Sequence, residues 1–211
     1  MDKNFAICIG RQFGSGGRTV SQKLAEILGV NIYDRTLLES AVMETGLSAD
    51  VFVKADEARR GGKGIRSLFM NHLSGSHSGS LPGNNFLSDE SVFGMQSDII
   101  RRIHEQESCI FVGRCADYVL RDSDRILSVF LSADRDFRIQ RLKAHDDTSD
   151  RRAESMIDEA DRKRGSYFNY FTGRNWSDPA SYDLCLNTSA LGLERCAGII
   201  ADIARAKLEI K

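Results

Sequence analysis

The feature that most constrains this chain is a change of pattern within residues 5–28. Phe5-Ala6-Ile7-Cys8-Ile9 is an apolar, β-compatible run bounded by Gly10, as in a strand buried on both faces. Gly10-Arg11-Gln12-Phe13-Gly14-Ser15-Gly16-Gly17-Arg18-Thr19 follows. Val20, Leu24, Ala25, Ile27 and Leu28 then recur at helical spacing up to Gly29. Strand, glycine-rich turn and amphipathic helix in this order are the parts of a phosphate-binding loop. The glycines let backbone N–H groups converge on an anion, and the helix N-terminus adds a positive dipole. A turn with no ligand can carry the same glycines; the agreement of all three parts in order favours the anion site.

The pattern G-x-x-x-x-G-K-[ST] fits in two registers, neither complete. With Gly16 as the last motif glycine, Gly17 takes the lysine position, Arg18 the hydroxyl position and Arg11 the first glycine. With Gly17 as the last glycine, Arg18 takes the lysine position, Thr19 the hydroxyl and Gln12 the first glycine. Chemistry favours the second register, which supplies a cation for phosphates and a hydroxyl for Mg²⁺. Gly14, Ser15, Gly16, Gly17, Arg18 and Thr19 then form an ATP cradle, with Arg18 as catalytic cation and Thr19 as metal ligand.

The chain has 211 residues, of which 41% are hydrophobic and 28% charged, enough for one α/β domain over residues 1–211. A net charge of −1 argues against a nucleic-acid-coating surface. The five cysteines, Cys8, Cys109, Cys115, Cys185 and Cys196, lie mostly in apolar runs and read as reduced core residues. No C-x-x-C pair occurs and the four histidines are scattered, which argues against zinc. No run reaches transmembrane length and the start of the chain lacks a signal-peptide core, so the expected location is cytoplasmic.

Further strands are expected at residues 30–33, 108–112, 126–131 and 182–188. Helices are expected at 35–45, 48–54, 91–107, 134–145, 153–164 and 193–208, with a short one from Tyr118. Residues 61–88 contain few core formers and read as a mobile insertion. Residues 146–165, dense in charge, read as a lid. The alternation of strands and helices implies a three-layer fold of the P-loop NTPase kind: a parallel sheet with helices on both faces and a helical lid. Right-handed crossovers would gather residues 10–19, 34–35, 113–117 and 187–188 along one sheet edge.

These motifs resemble the cytidylate kinase-like family, a branch of the nucleoside monophosphate kinases whose loop reads G-S-G-G-R. The resemblance is carried by residues 10–18, Tyr33-Asp34, Val112-Gly113-Arg114-Cys115-Ala116-Asp117 and Asp161-Arg162-Lys163-Arg164. Tyr167-Phe168, Thr172-Gly173, Trp176, Tyr182-Asp183-Leu184 and Asn187-Thr188 extend it, over nearly the whole chain except residues 60–90. It implies ATP with Mg²⁺ as phosphoryl donor and a nucleoside monophosphate, CMP or dCMP, as acceptor. It also implies that Asp34, Arg114, Asp117, Asp161 and Arg164 face the acceptor, with Asp161 accepting from the cytosine amine. Catalytic cations on the lid would come from Arg151, Arg152 and Arg162, as arginine fingers do.

Plainer roles stay open beside these. Asp34 can cap a helix, Asp117 can pair at a loop corner, Asp161 and Arg164 can form a surface ion pair, and the aromatics after the lid can simply pack. Two other functions also stay open. One is a kinase of the same fold acting on another small metabolite. The other is a catalytically inactive nucleotide-binding regulator, which the missing lysine favours and the retained arginines oppose.

Overall fold

The computed structural model describes residues 4–36, 38, 89–146 and 148–210. The expected helices over 35–45 and 48–54 and the expected insertion at 61–88 lie largely or wholly outside them. Five parallel strands form one sheet: β1 (Ala6–Arg11), β2 (Asn31–Tyr33), β3 (Cys109–Val112), β4 (Ile126–Ser132) and β5 (Leu184–Asn187). Their order is β2-β3-β1-β4-β5. β1 is therefore central, with Ile7 beside Ile110 on one flank and Leu127 on the other. The order reverses direction at β1, and the crevice beyond its C-terminal end is where open sheets of this type bind ligands.

Both faces of the sheet are covered. Ile7 and Ile9 of β1 face α1 (Gly17–Leu28) and the C-terminal helix, packing with Val20, Leu24, Ile200 and Ala204. Ala6 and Cys8 point the other way, against Ile99 and Ile100 of α2 (Asp89–Gln106) and Val119 of α3 (Ala116–Val119). Burial on both sides is why the strand reads as an unbroken apolar run, and each fully buried Ile or Phe contributes about 1.5–3 kcal/mol. Ala197, Ala201 and Ala204 give the C-terminal helix a narrow buried stripe that lets it lie close to α1.

α4 (Arg135–Asp146) and α5 (Asp150–Thr172) form a helical hairpin beside the site. Ile139, Leu142, Ala153 and Ile157 make its small core, and Phe13 of the glycine-rich loop packs against it. The sequence reading ended the second helix near residue 164, but α5 continues through Gly165 to Thr172 and is capped by Gly173 at φ 68°. Aromatic packing keeps it helical: Gly165 lies under the Trp176 ring, and Phe93 stacks on Phe171 at 4.2 Å. Trp176 and Tyr182 both meet Phe130, so these aromatics serve packing. α6 (Thr188–Leu191) and α7 (Leu193–Leu208) complete the chain. All five cysteines are free thiols, and four of them are buried.

Candidate active site

The glycine-rich loop leaves β1 at Arg11 and is held by every element around it. Gln12 N–H donates to Leu131 O at 2.9 Å, and Gln12 Oε1 accepts from Ala133 N–H at 3.0 Å. Phe13 N–H donates to Asp161 Oδ1 at 2.6 Å. The buried Thr188 hydroxyl, just past β5, donates to Ser15 O at 2.7 Å. Gly14 and Gly16 both sit at φ 80°, where a side chain would be strained. A Cβ on Gly16 would also lie 2.5 Å from Leu193 Cδ2.

Helix α1 begins at Gly17, with Gly16 as its left-handed N-cap. Val20 N–H makes the first helical bond, to Gly16 O, so the N–H groups of Gly17, Arg18 and Thr19 lie ahead of the ladder. This settles the register. The glycine that the loop-to-helix junction requires is Gly16; Gly17 is already helical. The sequence reading placed the junction one residue later. In the observed register Gly17 stands in the lysine position, Arg18 in the hydroxyl position and Arg11 in that of the first glycine. Arg18 points outward with its side chain 81% exposed and pairs with Asp34 Oδ2 at 3.2 Å. Thr19 lies one residue beyond the hydroxyl position, and the Ser15 hydroxyl turns back onto Gln12 O at 2.9 Å. No group of three or more His, Cys, Asp or Glu side chains converges as metal ligands among the described residues.

Guanidinium groups gather at the mouth of the loop. Arg164 Nη1 donates to Arg11 O at 2.9 Å, and its guanidinium lies over the Phe13 ring at 5.4 Å. Arg114 leaves the end of β3 in a left-handed turn, with Gly113, Arg114 and Cys115 at φ 82°, 61° and 56°. Left-handed conformation at two successive non-glycine residues is costly and concentrates at functional sites. The turn sends the Arg114 guanidinium over the Tyr167 ring at 5.4 Å. Burial, then the like charges of Arg164 and Arg114, lower the pKa of Arg11 to about 9. Burial also lowers that of Arg164, against the pull of Asp161. Three guanidiniums thus gather at the loop, with Asp34 and Asp161 the carboxylates that act on them.

The other expected residues fall elsewhere or take different tasks. Asp34 Oδ1 accepts from Thr36 N–H at 3.0 Å, so it caps the turn after β2 as well as meeting Arg18. Asp161 gives one oxygen to Phe13 and the other to Arg138 Nη1 at 2.7 Å. Both oxygens are engaged inside the fold, so Asp161 holds the loop. Arg138, on α4, is buried and was not anticipated. Arg151, Arg152 and Arg162 lie on the exposed face of α5, a continuous helix. Asp117 is buried on α3 beside a polar cavity of about 520 Å³. Ser128, Arg174, Tyr182, Asp183 and Lys207 also line that cavity, and no residue of the loop does. Asp117 Oδ2 lies 3.8 Å from Arg174 Nη1. Arg11 escaped the sequence reading as a site residue, although its place at the first motif glycine was a signal.

The cytidylate kinase-like family model matches residues 6–190. No curated protein matches. An uncharacterized protein from Eubacterium ventriosum is similar in structure, with a TM-score of 0.71 and 23% identity over 96% of this chain and 99% of that one. A shikimate kinase from Bacteroides thetaiotaomicron aligns with a TM-score of 0.52 and 15% identity over 98% and 99% of the two chains. A gluconokinase from Sinorhizobium meliloti aligns with a TM-score of 0.50 and 12% identity over 98% and 94%. At these identities the structural likeness shows the fold, that of the P-loop kinases.

Proposed function

The chain belongs to the cytidylate kinase-like family, and on that premise we propose that it transfers the γ-phosphoryl group of ATP to CMP or dCMP. The observation that carries the reading is the convergence of Arg11, Arg114 and Arg164 beside the ordered loop. Phosphoryl transfer is chiefly positioning and charge neutralisation, and planar guanidiniums suit phosphate oxygens. With a phosphate dianion as acceptor, the bond from the γ-phosphorus to its bridging oxygen breaks and a bond to an acceptor oxygen forms. ADP leaves and no proton needs to move. Loop amides ahead of α1 bind the donor phosphates; Arg114 and Arg164 hold the acceptor phosphate. Magnesium would enter with ATP and supply further charge neutralisation.

The aromatic wall of Phe93, Tyr167 and Phe171 next to Arg114 suits a planar base. The engagement of both Asp161 oxygens favours a second reading, phosphorylation of a different small anionic metabolite by the same loop. A coupled ADP-release assay over CMP, dCMP, UMP, AMP and a set of hydroxylated carboxylic and sugar acids decides between them. Turnover of CMP or dCMP well above the rest is expected. Turnover of an acid alone gives the second reading, and ATP binding without turnover of any acceptor gives the regulatory one.

A further inference from the structure

Two of the three departures from the phosphate-loop pattern sit against each other. Arg11 stands where the pattern has its first glycine, and Gly17 where it has its lysine. The Arg11 side chain leaves the end of β1 and runs past Gly17: a Cβ there would lie 2.8 Å from Arg11 Cγ and 3.0 Å from Arg11 Cβ. It ends at the turn after β3, where a Cβ on Gly113 would lie 2.3 Å from Arg11 Nη1. The crowded atoms at Gly17 are next to the Arg11 backbone, so turning the far end of the side chain does not relieve them. A lysine at position 17 and the observed path of Arg11 exclude one another. Gly17, the first residue of α1, and Gly113, in the turn after β3, leave the space through which this guanidinium runs.

The guanidinium is half-buried and makes no hydrogen bond or ion pair with a described residue, while the like charges of Arg164, Arg114 and Arg18 act on it and Asp34 offsets them only in part. Placing a cation in such a position costs free energy unless an anion completes the site.

We propose that Arg11 replaces the missing lysine: its guanidinium, threaded between Gly17 and Gly113, binds the phosphates of the donor triphosphate and neutralises charge on the transferring phosphoryl group. The cation has moved from the first turn of α1 to the end of β1, and the glycine has moved the opposite way. The proposal rests on the kinase reading, but it concerns the donor, so it can be tested without any acceptor.

The experiment measures ATP binding by calorimetry without acceptor, and turnover with the best acceptor of the panel. The proteins are wild type, Arg11→Ala, Gly17→Ala, Gly17→Lys and the double variant R11G/G17K. Arg11→Ala should weaken ATP binding and lower kcat/KM by at least ~10-fold, as loss of a charge-stabilising donor does. Gly17→Ala keeps every charge and a helical backbone, yet should lose a similar amount by pushing Arg11 aside. R11G/G17K restores the first glycine and the lysine of the ordinary pattern and should exceed Gly17→Lys by at least ~10-fold, a coupling expected of side chains in contact. Should Arg11→Ala fail to fold, Gly17→Ala and the double variant carry the test. Wild-type ATP binding and turnover in Arg11→Ala or Gly17→Ala overturn the proposal and leave the kinase reading standing. Unchanged ATP binding with only a raised acceptor KM also overturns it and assigns Arg11 to the acceptor. A wild-type protein that binds no ATP ends both readings together.

Discussion

Asp161 accepts a 2.6 Å hydrogen bond from the backbone N–H of Phe13, joining the middle of α5 to the loop that follows β1. Its other oxygen meets Arg138 of α4, so one carboxylate ties both helices of the hairpin to the loop. The pair is largely sheltered, with side-chain exposures of 9% for Arg138 and 18% for Asp161. Hydrogen bonds to charged groups contribute about 1.5–3 kcal/mol each. Asp161→Asn keeps the shape and removes the charge. It should lower stability by about 1–3 kcal/mol and raise the KM for ATP, while leaving any preference for CMP over UMP unchanged. Urea denaturation and kinetics with both acceptors check this; a narrowed CMP preference at unchanged ATP KM would return Asp161 to the base site.

Two glycines give opposite expectations. Gly16 is at φ 80°, and its Cβ would strike Leu193 at 2.5 Å. Gly16→Ala should therefore destabilise by at least ~1–3 kcal/mol and displace the N-terminus of α1, with loss of ATP binding. Gly165 is inside α5, where a Cβ would meet Trp176 at 3.6 Å, an ordinary contact. Gly165→Ala should stabilise by about 0.5–1 kcal/mol through helix propensity and lost unfolded-state freedom. Thermal melts of the two variants should shift in opposite directions; shifts of the same sign would contradict the local geometry assigned to one of them.

Arg18 is the residue on which sequence and structure part most clearly. The register that gave it the lysine position came from its charge and from the Thr19 hydroxyl beside it. The register in the fold comes from Gly16, the residue with positive φ at the junction. Its side chain projects into solvent, and exposed ion pairs such as the one with Asp34 are worth little. Arg18→Ala should change kcat/KM by less than about threefold, which amounts to under about 1 kcal/mol, in contrast to Arg11→Ala. Steady-state kinetics of the two single variants side by side make the comparison; a larger loss at Arg18 would restore the sequence-derived register.

What was legible in the sequence follows from how each element is buried. β1, β3 and β4 lie at the middle of a parallel sheet, so their apolar runs are unbroken and their positions plain. α1 and α7 show their apolar stripes because each buries one face. The second half of α5 was not legible: Gly165 looks like a break, and only its packing against Trp176 makes it tolerable within the helix. Arg138 was not legible either, since in a basic helix it resembles its solvated neighbours and its pairing with Asp161 spans two elements. The roles of Arg11 and Gly17 lay between these cases. Each departure from the motif was visible alone; that one side chain occupies the space left by the other is a fact of three dimensions.

Asp117 gives the last expectation, and it concerns pH. Its carboxylate is buried on α3, Oδ2 has no hydrogen-bond partner, and Arg174 reaches only to 3.8 Å. Burial is the main cause that raises its pKa above the usual carboxylate value; Arg174 and the N–H groups of Asp117 and Tyr118 pull it back in part. A raised folded-state pKa means that the folded protein holds this proton more tightly than the unfolded chain does. The contribution to stability is complete below the unfolded value, about 3.9, and is lost as pH rises through the raised folded value. Above that window the wild type carries an ionised, poorly paired buried group, whereas Asp117→Asn carries a neutral one. The stability of the variant relative to wild type should therefore rise as pH rises above about 4 and level off once pH has passed the raised folded value. Urea unfolding of both proteins across that range measures the difference, and a flat or falling difference would mean that the Asp117 carboxylate is well paired when charged.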